Sequence, residues 1–146
     1  MIIREATEED LPGILELYSH PEIDNGIVLD LKDAKQIFEK MKSYPDYHIY
    51  VAETDNKMAG TFALAILDNI AHMGAKSGLI EDVVVSLDFQ RQGIGKKMME
   101  FAIELCREKS CYKVCLSGNL KRKNSHKFYE NIGFKIHGYS FLTEVK

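Results

Sequence analysis

Residues 90–95, with the sequence QRQGIG, have the types and spacing of a backbone phosphate site. Gly93 and Gly95 allow the chain to curl so that several backbone N–H groups point into one hollow. An apolar helix pattern begins directly behind them, and the first N–H groups of a helix have no partner within the helix. A pyrophosphate would accept hydrogen bonds from these groups at the positive end of the helix dipole. The stretch predicts either such an anion site or a plain strand-to-helix turn with a glycine hinge.

Two better-known glycine loops do not fit this stretch. A Walker A loop needs Gly where the chain has Gln90, and Ser or Thr where it has Lys97. A dinucleotide fingerprint needs a third Gly where the chain has Met98. The pattern that fits is Gln/Arg-x-x-Gly-x-Gly/Ala between a strand and a helix. The residues that would cradle the anion are Arg91, Gln92, Gly93, Ile94, Gly95 and Lys96.

Residues on both sides of this loop could move protons. Glu81 and Asp82 are carboxylates in an otherwise apolar strand, and a strand carboxylate near a reacting group can act as a base. Regular alternation predicts that they point to opposite faces. Tyr129 stays protonated at neutral pH, since free tyrosine has a pKa of about 10, and it can therefore donate a proton. Each also has a structural interpretation, as a solvent-facing or salt-bridged carboxylate or as a core tyrosine.

The cysteines do not indicate metal or thiol chemistry. Cys106, Cys111 and Cys115 are odd in number, which favours reduced thiols over a disulfide framework. Their spacing contains no C-x-x-C pair, so we expect no zinc site. No base is placed beside them, which disfavours a thiol intermediate.

The elements that must position these residues follow from periodicity. A strand is predicted over residues 1–7 and a helix over 8–19, with Thr7 as its N-cap. The further helices are predicted over about 30–42, 94–109 and 122–134, the last ended by a left-handed Gly133. The further strands are predicted over 47–54, 61–67, 78–86 and 111–118, with one or two more across 134–145. The order β-α-α-β-β-β-α-β-α-β predicts a mixed α/β (α+β) sheet with helices on both faces.

Composition and charge narrow the function classes. The 146 residues fit a single domain over 1–146, and no apolar run approaches the roughly 20 residues that span a bilayer. No signal-peptide pattern opens the chain, so a cytoplasmic location is the default expectation. Residues 1–75 carry a net charge of −8 and residues 76–146 one of +5, which suits an acidic ligand on the second half. A basic face with interleaved aromatic residues is lacking, so nucleic-acid binding is not expected.

Two motifs resemble a known family. VVVSLDFQRQGIGKKMM resembles the acetyl-CoA motif of the GNAT superfamily of N-acetyltransferases, and SHKFYENIGF resembles the later motif of that family, with Tyr before a closing Gly-Phe. Gly95 and Tyr129 lie 34 residues apart, a normal interval for the family. The order of elements also resembles the GNAT fold. GLIEDVVVS, CYK and KFYENIGF together resemble glucosamine-6-phosphate N-acetyltransferases over residues 79–134, which leaves the acceptor undetermined.

The resemblance implies a mostly antiparallel sheet with one parallel pair of strands that splay apart, and acetyl-CoA as co-substrate. Val83, Val84 and Val85 would offer main-chain groups to the pantetheine arm and the thioester carbonyl. Tyr129 would donate a proton to the departing CoA thiolate, and Glu81 would act as the base, with Asp82 contacting the acceptor. Transfer would be direct, within a ternary complex. Many family members carry Asn where this chain has Arg122, so the roles of Arg122, Asn124 and His126 stay open.

The acceptor is expected to be a primary amine on a small molecule. An amino sugar, polyamine, aminoglycoside, amino acid or peptide all remain possible. We expect it to enter from the side built by residues 18–32 and 68–78, opposite the glycine loop. A homodimer is possible, and the alternative to an enzyme is a non-catalytic acyl-CoA-sensing or interaction module on the same fold.

Overall fold

A five-stranded sheet organises the computed structural model, which describes residues 1–145. Its strands are β1 (Ile2–Glu5), β2 (Tyr47–Thr54), β3 (Lys57–Leu67), β4 (Lys76–Val85) and β5 (Cys111–Leu116). The helices are α1 (Leu11–Tyr18), α2 (Leu31–Met41), α3 (Ile94–Glu108) and α4 (Lys123–Asn131). The strands lie in chain order, antiparallel from β1 to β4 and parallel between β4 and β5. This mixed, mostly antiparallel α/β arrangement confirms the predicted fold class.

The two faces of the sheet have separate apolar cores. On one face, Tyr50, Phe62 and Leu64 pack with the buried side of α3. On the other, Val51 packs with Leu11 and Ile14 of α1 and with Phe38 of α2. Because neighbouring residues of a strand point to opposite faces, β2 contributes to both cores at once, which explains its continuous burial.

A charged network fixes the start of α1. The Asp10 carboxylate accepts hydrogen bonds from the Thr7 backbone N–H at 2.7 Å and from the Arg4 guanidinium at 2.7 and 2.8 Å. Arg4 also contacts Glu53 of β2 at 2.9 Å. The hydrogen bond from Arg4, with that from Thr7, holds the pKa of Asp10 below its usual value. β1, β2 and α1 are thereby tied together at one point.

Two glycines allow α3 to lie close to the sheet. A Cβ added at Gly60 of β3 would come within 2.7 Å of Met98 Sδ, and one at Gly78 of β4 within 2.5 Å of Cys106 Sγ. A larger residue at either position would push α3 outward. The close packing at these two glycines therefore fixes the distance between α3 and the sheet.

The predicted C-terminal strands are wrong. Residues 132–145 form neither helix nor strand. A strand needs a neighbour for its backbone N–H and C=O groups, and none of the described residues pairs with this segment. Elsewhere the order of elements is as predicted, although β4 begins two residues earlier, at Lys76. Within residues 1–145, no helix combines the length and apolarity needed to cross a bilayer.

Candidate active site

The parallel strands β4 and β5 separate partway along β4. Their pairing begins at Lys76 with Cys111 and ends at Ile80 with Leu116. Residues 81–85 continue to pair with β3 on the other side. Beyond Ile80, one edge of β4 therefore has no strand beside it among the described residues, and its backbone polar groups are open to a ligand. The splayed pair implied by the family resemblance is present.

A β-bulge interrupts β4 directly after the strands part. Ala63 of β3 faces Glu81, but Thr61, two residues earlier, faces Val84, so β4 carries one extra residue. Asp82 lies in this extra length with φ +53°, a left-handed conformation that Asp tolerates better than most residues.

The bulge exchanges the two faces of β4. Before it, Gly78 and Ile80 face α3; after it, Val83 and Val85 pack against that same core. Val84 now lies opposite Thr61, toward the other face. The three valines expected to offer main-chain groups thus follow the bulge on the open stretch of β4.

Glu81 and Asp82 do not point to opposite faces, because the bulge breaks the alternation on which that prediction rested. Burial of the Tyr47 ring raises the pKa of its hydroxyl, and the negative charges of Asp82 and Glu81 add to that rise. Tyr47 is the stacking partner of Tyr44, with ring centroids 6.2 Å apart. The two carboxylates therefore share a tyrosine-rich environment on the α1 side.

Asp82 is a perturbed carboxyl. Partial removal from water, with the nearby negative charge of Asp24, raises the pKa of Asp82 above its ordinary value. Tyr18, at the end of α1, is half-buried, and burial with the charge of Asp82 raises its pKa as well. Asp24, from the predicted acceptor side, is thus close enough to act on Asp82.

The glycine loop opens α3. Gly93 has φ +80° and precedes the helix as its N-cap, and Arg91 is also left-handed, with φ +61°. The first helical hydrogen bond is donated by Lys97 N–H to Gly93 carbonyl oxygen at 3.1 Å. The N–H groups of residues 94–96 precede it and point out of the helix end. A Cβ added at Gly93 meets no atom within 4 Å, so the hollow in front of the loop is open.

Gly95 is where three parts of the candidate site meet. A Cβ there would lie 3.0 Å from the Phe128 ring of α4 and 3.5 Å from the Val85 side chain of β4. The second glycine of the motif therefore allows α4 and the end of β4 to approach the loop. Glycine suits position 93 because the backbone there is left-handed, whereas it suits position 95 because a side chain there would crowd Phe128 and Val85.

Tyr129 is held beside this meeting point. Its ring makes edge contacts with Phe128, at a centroid distance of 5.1 Å, and with Phe134, at 5.8 Å. The Phe134 N–H donates to the Tyr129 carbonyl at 3.0 Å, after Gly133 ends the helix with φ +102°. Burial raises the pKa of the Tyr129 hydroxyl, while the charge of Arg122 opposes that rise. The side chain is thus a protonated phenol at neutral pH.

The basic segment before α4 makes contacts within the protein. Arg122 donates to the Glu22 carbonyl oxygen at 2.7 Å and lies 4.0 Å from the Glu22 carboxylate. His126 Nε2 lies 2.7 Å from the Asn119 carbonyl oxygen, which agrees with a structural role. Arg122 therefore connects the start of α4 to the segment between α1 and α2.

A cleft of about 660 Å³ lies between α1 and the end of β4. It is lined by Leu17 and His20 near the end of α1, by Met58 of β3, by Val84 and Val85, and by the turn leading toward the glycine loop. Its volume falls in the range typical of small-molecule sites.

The structure brings together most of the residues singled out in the sequence. The end of β4, the glycine loop and α4 meet at Gly95, and both carboxylates lie at the bulge. Sequence reasoning missed Tyr18 and Tyr47, because each falls on an apolar periodic face and looks like a core residue. Only the tertiary packing of α1 and the pairing of β2, β3 and β4 bring them close enough to feel the charge of Asp82.

Comparisons with known proteins find related sequences and folds. The profile of the acetyltransferase (GNAT) family matches residues 11–134. The chain is 33% identical to a glucosamine 6-phosphate N-acetyltransferase of Arabidopsis thaliana over 124 residues, which cover 83% of this chain and 80% of the relative. It is 26% identical to an aminoalkylphosphonate N-acetyltransferase of Salmonella typhimurium, covering 98% and 90% of the two chains. The structure of a putative acetyltransferase from Agrobacterium tumefaciens superimposes with a TM-score of 0.90 at 31% identity, covering 99% of each chain.

Substituting Gly95 tests whether the glycine loop, α4 and the end of β4 approach one another as closely as described. We expect Gly95→Val to lower the free energy of unfolding by about 1–3 kcal/mol, because the new side chain forces Phe128 and Val85 apart. Urea unfolding followed by circular dichroism measures this. Gly138→Val, at a position with no atom within 4 Å, is the control and should change stability little. Equal stability of the two variants would contradict the close approach at Gly95.

Proposed function

This chain belongs to the acetyltransferase (GNAT) family and is an acyl-CoA-dependent N-acetyltransferase, and on that premise we propose that it transfers acetyl from acetyl-CoA to a primary amine by direct attack. Amine and thioester would be held together in one ternary complex, without a covalent acyl-enzyme. The observation that carries this proposal is the parting of β4 and β5 beside the open start of α3. The unpaired edge of β4 offers backbone hydrogen-bonding groups to the pantetheine arm of acetyl-CoA. The start of α3 offers free N–H groups to the phosphates at the end of that arm.

The glycine loop suits a pyrophosphate. The free N–H groups at the start of α3 are donors at the positive end of a 15-residue helix. The hollow in front of Gly93 is open, and Arg91, Lys96 and Lys97 add exposed positive charge around it. We assign the pyrophosphate contacts to residues 91–96.

The open edge of β4 suits the acyl end of the co-substrate. Backbone N–H groups that are already fixed can stabilise the negative charge that develops on the thioester oxygen during acyl transfer. Residues 83–85 follow the bulge on the stretch that lacks a β5 partner. This role depends on the backbone, so it is compatible with buried valine side chains.

Tyr129 is proposed as the proton donor. Its raised pKa keeps the hydroxyl protonated at neutral pH, so the proton is available to the departing thiolate. Because an ordinary thiol has a pKa near 8.5, below that of a tyrosine, the transfer is uphill by itself and is completed when solvent returns a proton to Tyr129. Phe128 and Phe134 fix the orientation of the ring from two sides.

The carboxylates at the bulge are proposed to receive the proton of the acceptor. A primary ammonium must lose a proton before its nitrogen can attack. Glu81 is the base predicted from the sequence. Asp82 is a second candidate, because it lies in the bulge at the opening, near Tyr18 and Asp24, and its raised pKa suits a base. We therefore assign proton removal to Asp82, directly or through a water molecule, with Glu81 as its neighbour on the same side.

The steps balance as follows. Asp82 accepts one proton from the ammonium, and the neutral nitrogen forms a bond to the thioester carbonyl carbon. The β4 backbone donates hydrogen bonds to the carbonyl oxygen while it is negatively charged. The carbon–sulfur bond then breaks, and Tyr129 donates its proton to the departing sulfur. The nitrogen, which became positively charged on attack, loses its second proton to solvent and becomes the amide nitrogen. Solvent restores the proton of Tyr129 and takes up the one held by Asp82.

The acceptor is drawn toward the bulge by charge. Asp24, Glu81 and Asp82 place negative charge on the α1 side, which attracts the reacting amine in its ammonium form. The names of the relatives include a phosphorylated amino sugar and an aminoalkylphosphonate, both of which combine an amine with an acidic group. The negative charges at the bulge would attract the amine end of either molecule.

The direct test is acetyl-CoA-dependent release of free thiol with a panel of amines. The panel contains glucosamine, glucosamine 6-phosphate, 2-aminoethylphosphonate, spermidine and an aminoglycoside. We expect turnover with at least one of them, and loss of most acetyl-CoA affinity in Gly93→Val by calorimetry, because the side chain occupies the hollow. Gly74→Val has nearly the same backbone strain, φ +78° against +80°, but lies outside the loop, and it should bind normally. Unchanged affinity in Gly93→Val would exclude the loop as the phosphate site.

Removing the hydroxyl of Tyr129 should slow the chemical step. We expect Tyr129→Phe to lower kcat by roughly 10²–10⁴-fold while acetyl-CoA affinity stays nearly unchanged, because only the proton donor is lost. Steady-state kinetics with the best acceptor measure the effect, and Tyr112→Phe, at an exposed tyrosine, is the matched control. Parent-like turnover would leave Tyr129 as a core residue only.

Asp82→Asn should remove the acid limb of the pH–rate profile. The base works only when deprotonated, so the parent rate rises with pH through the raised pKa of Asp82, and this rise should vanish in the variant. Asn also tolerates the left-handed backbone at this position, so the bulge is preserved. We expect kcat to fall by roughly 10²–10⁴-fold at pH 7. Glu81→Gln is the comparison, and a larger loss there than in Asp82→Asn would identify Glu81 as the base.

A further inference from the structure

Arg122 lies between the two sides of the candidate site. It directly precedes α4, the helix that carries Tyr129, but its side chain does not cap that helix. Its Nη2 instead donates to the carbonyl oxygen of Glu22 at 2.7 Å, 100 residues earlier in the chain. A hydrogen bond from a guanidinium is stronger than one between neutral groups, whereas the exposed ion pair with the Glu22 carboxylate, at 4.0 Å, contributes little. The contact with the backbone is therefore the one that joins the two parts of the chain.

The segment that Arg122 contacts, residues 19–26, is here called the acceptor-side segment. Its other hydrogen bonds are local, such as that from Gly26 N–H to the Ile23 carbonyl oxygen at 2.8 Å. Residues 24–26 are all left-handed, with φ of +43°, +56° and +80°. Asp, Asn and Gly tolerate this conformation, but usually as single residues, so a run of three needs support from the surrounding structure. Within residues 1–145, the hydrogen bond from Arg122 is the one that ties this segment to a distant part of the chain.

The acceptor-side segment forms a wall of the candidate site. His20 and Pro21 line the cleft, and Val84 of β4 lies across from them. The negative charge of Asp24 acts on Asp82 in the bulge. A shift of this segment would therefore change both the shape of the cleft and the charge beside the bulge.

Arg122 also acts on the proposed proton donor. Burial raises the pKa of the Tyr129 hydroxyl, and the positive charge of Arg122 opposes that rise. When the hydroxyl gives its proton to the departing sulfur, the phenol oxygen becomes negative, and a nearby guanidinium stabilises that charge. One side chain thus contacts the acceptor wall through a hydrogen bond and reaches the leaving-group side through its charge.

We propose that Arg122 is a positioning residue for acetyl transfer, which joins the acceptor-side segment to the helix that carries the proton donor. This inference rests on the acetyltransferase function proposed above. The hydrogen bond to Glu22 keeps the acceptor wall in place, and the positive charge assists departure of the thiolate by stabilising the phenolate of Tyr129. The two sides of the site are thereby held in one arrangement.

Hydrogen exchange of the substrate-free chain tests the contact without an assay of activity. Arg122→Ala should speed exchange in a peptide covering residues 19–29 by about 10-fold or more, because its local hydrogen bonds open more often once the charged contact is lost. Arg122→Gln repeats the measurement with most of the side chain retained, and the peptide covering α2 is the internal standard. Lys123→Ala removes an exposed positive charge one residue away and should exchange like the parent. Parent-like exchange in both Arg122 variants would overturn the proposal.

Kinetics with the best acceptor separate the hydrogen bond from the charge. For Arg122→Ala we expect the KM for the acceptor to rise about 10-fold and kcat to fall about 10-fold, with acetyl-CoA affinity nearly unchanged by calorimetry. Arg122→Lys keeps the charge on a shorter side chain, so it should recover kcat while the acceptor KM stays raised. Lys123→Ala is again the control and should match the parent.

The possible outcomes distinguish this proposal from its alternatives. Weaker acetyl-CoA binding with an unchanged acceptor KM would make Arg122 a phosphate contact and overturn the proposal. An equally low kcat in Arg122→Lys and Arg122→Ala would overturn the role of the charge. A parent that acetylates none of the amines would instead count against the proposed function, and hydrogen exchange would still decide whether Arg122 holds the acceptor-side segment.

Discussion

The parting of two parallel strands is the constraint on which the candidate site depends. While β4 and β5 pair, their backbone groups satisfy one another and no ligand can reach them. After Ile80 the pairing stops, and the following stretch of β4 keeps only its β3 neighbour. A buried backbone edge without partners is costly, so the opening is stable only if solvent or a ligand meets these groups. The fold thus contains a slot for an extended molecule. The depth of the slot is set by Ile80 and Leu116, the last residues at which β4 and β5 pair.

Two opposite electrostatic environments flank this slot. At the glycine loop, helix N–H groups and exposed basic side chains create a positive region, which suits phosphates. At the bulge, Asp24, Glu81 and Asp82 create a negative region among tyrosines, which suits an ammonium. An acyl carrier with a phosphorylated tail and a cationic acceptor would each be drawn to a different end. In the mechanism we propose, the reacting atoms would meet where β4 lacks a neighbour.

Local pattern was enough to predict the elements and the glycine loop, since both depend on residues close together in sequence. The QRQGIG stretch, the order of elements and the left-handed Gly133 all follow from local rules. The bulge did not, because it is an offset between β4 and β3, and nothing in GLIEDVVVS indicates an extra residue. The role of Tyr18 beside Asp82 likewise depends on tertiary packing. The C-terminal strands were predicted from alternation alone, which gives the capacity to pair but not the partner.

The extra residue in β4 also determines which sequence changes this strand can tolerate. Positions 78 and 80 face α3 before the bulge, and positions 83 and 85 face it afterwards. A substitution at one of these positions disturbs a single contact. Deletion of Asp82 would instead restore regular pairing with β3 and leave the three valines on their present faces, opposite the same residues of β3. A change in length here would therefore remove the kink at the opening and spare the packing against α3, so the shape of the opening and the stability of the core can vary independently.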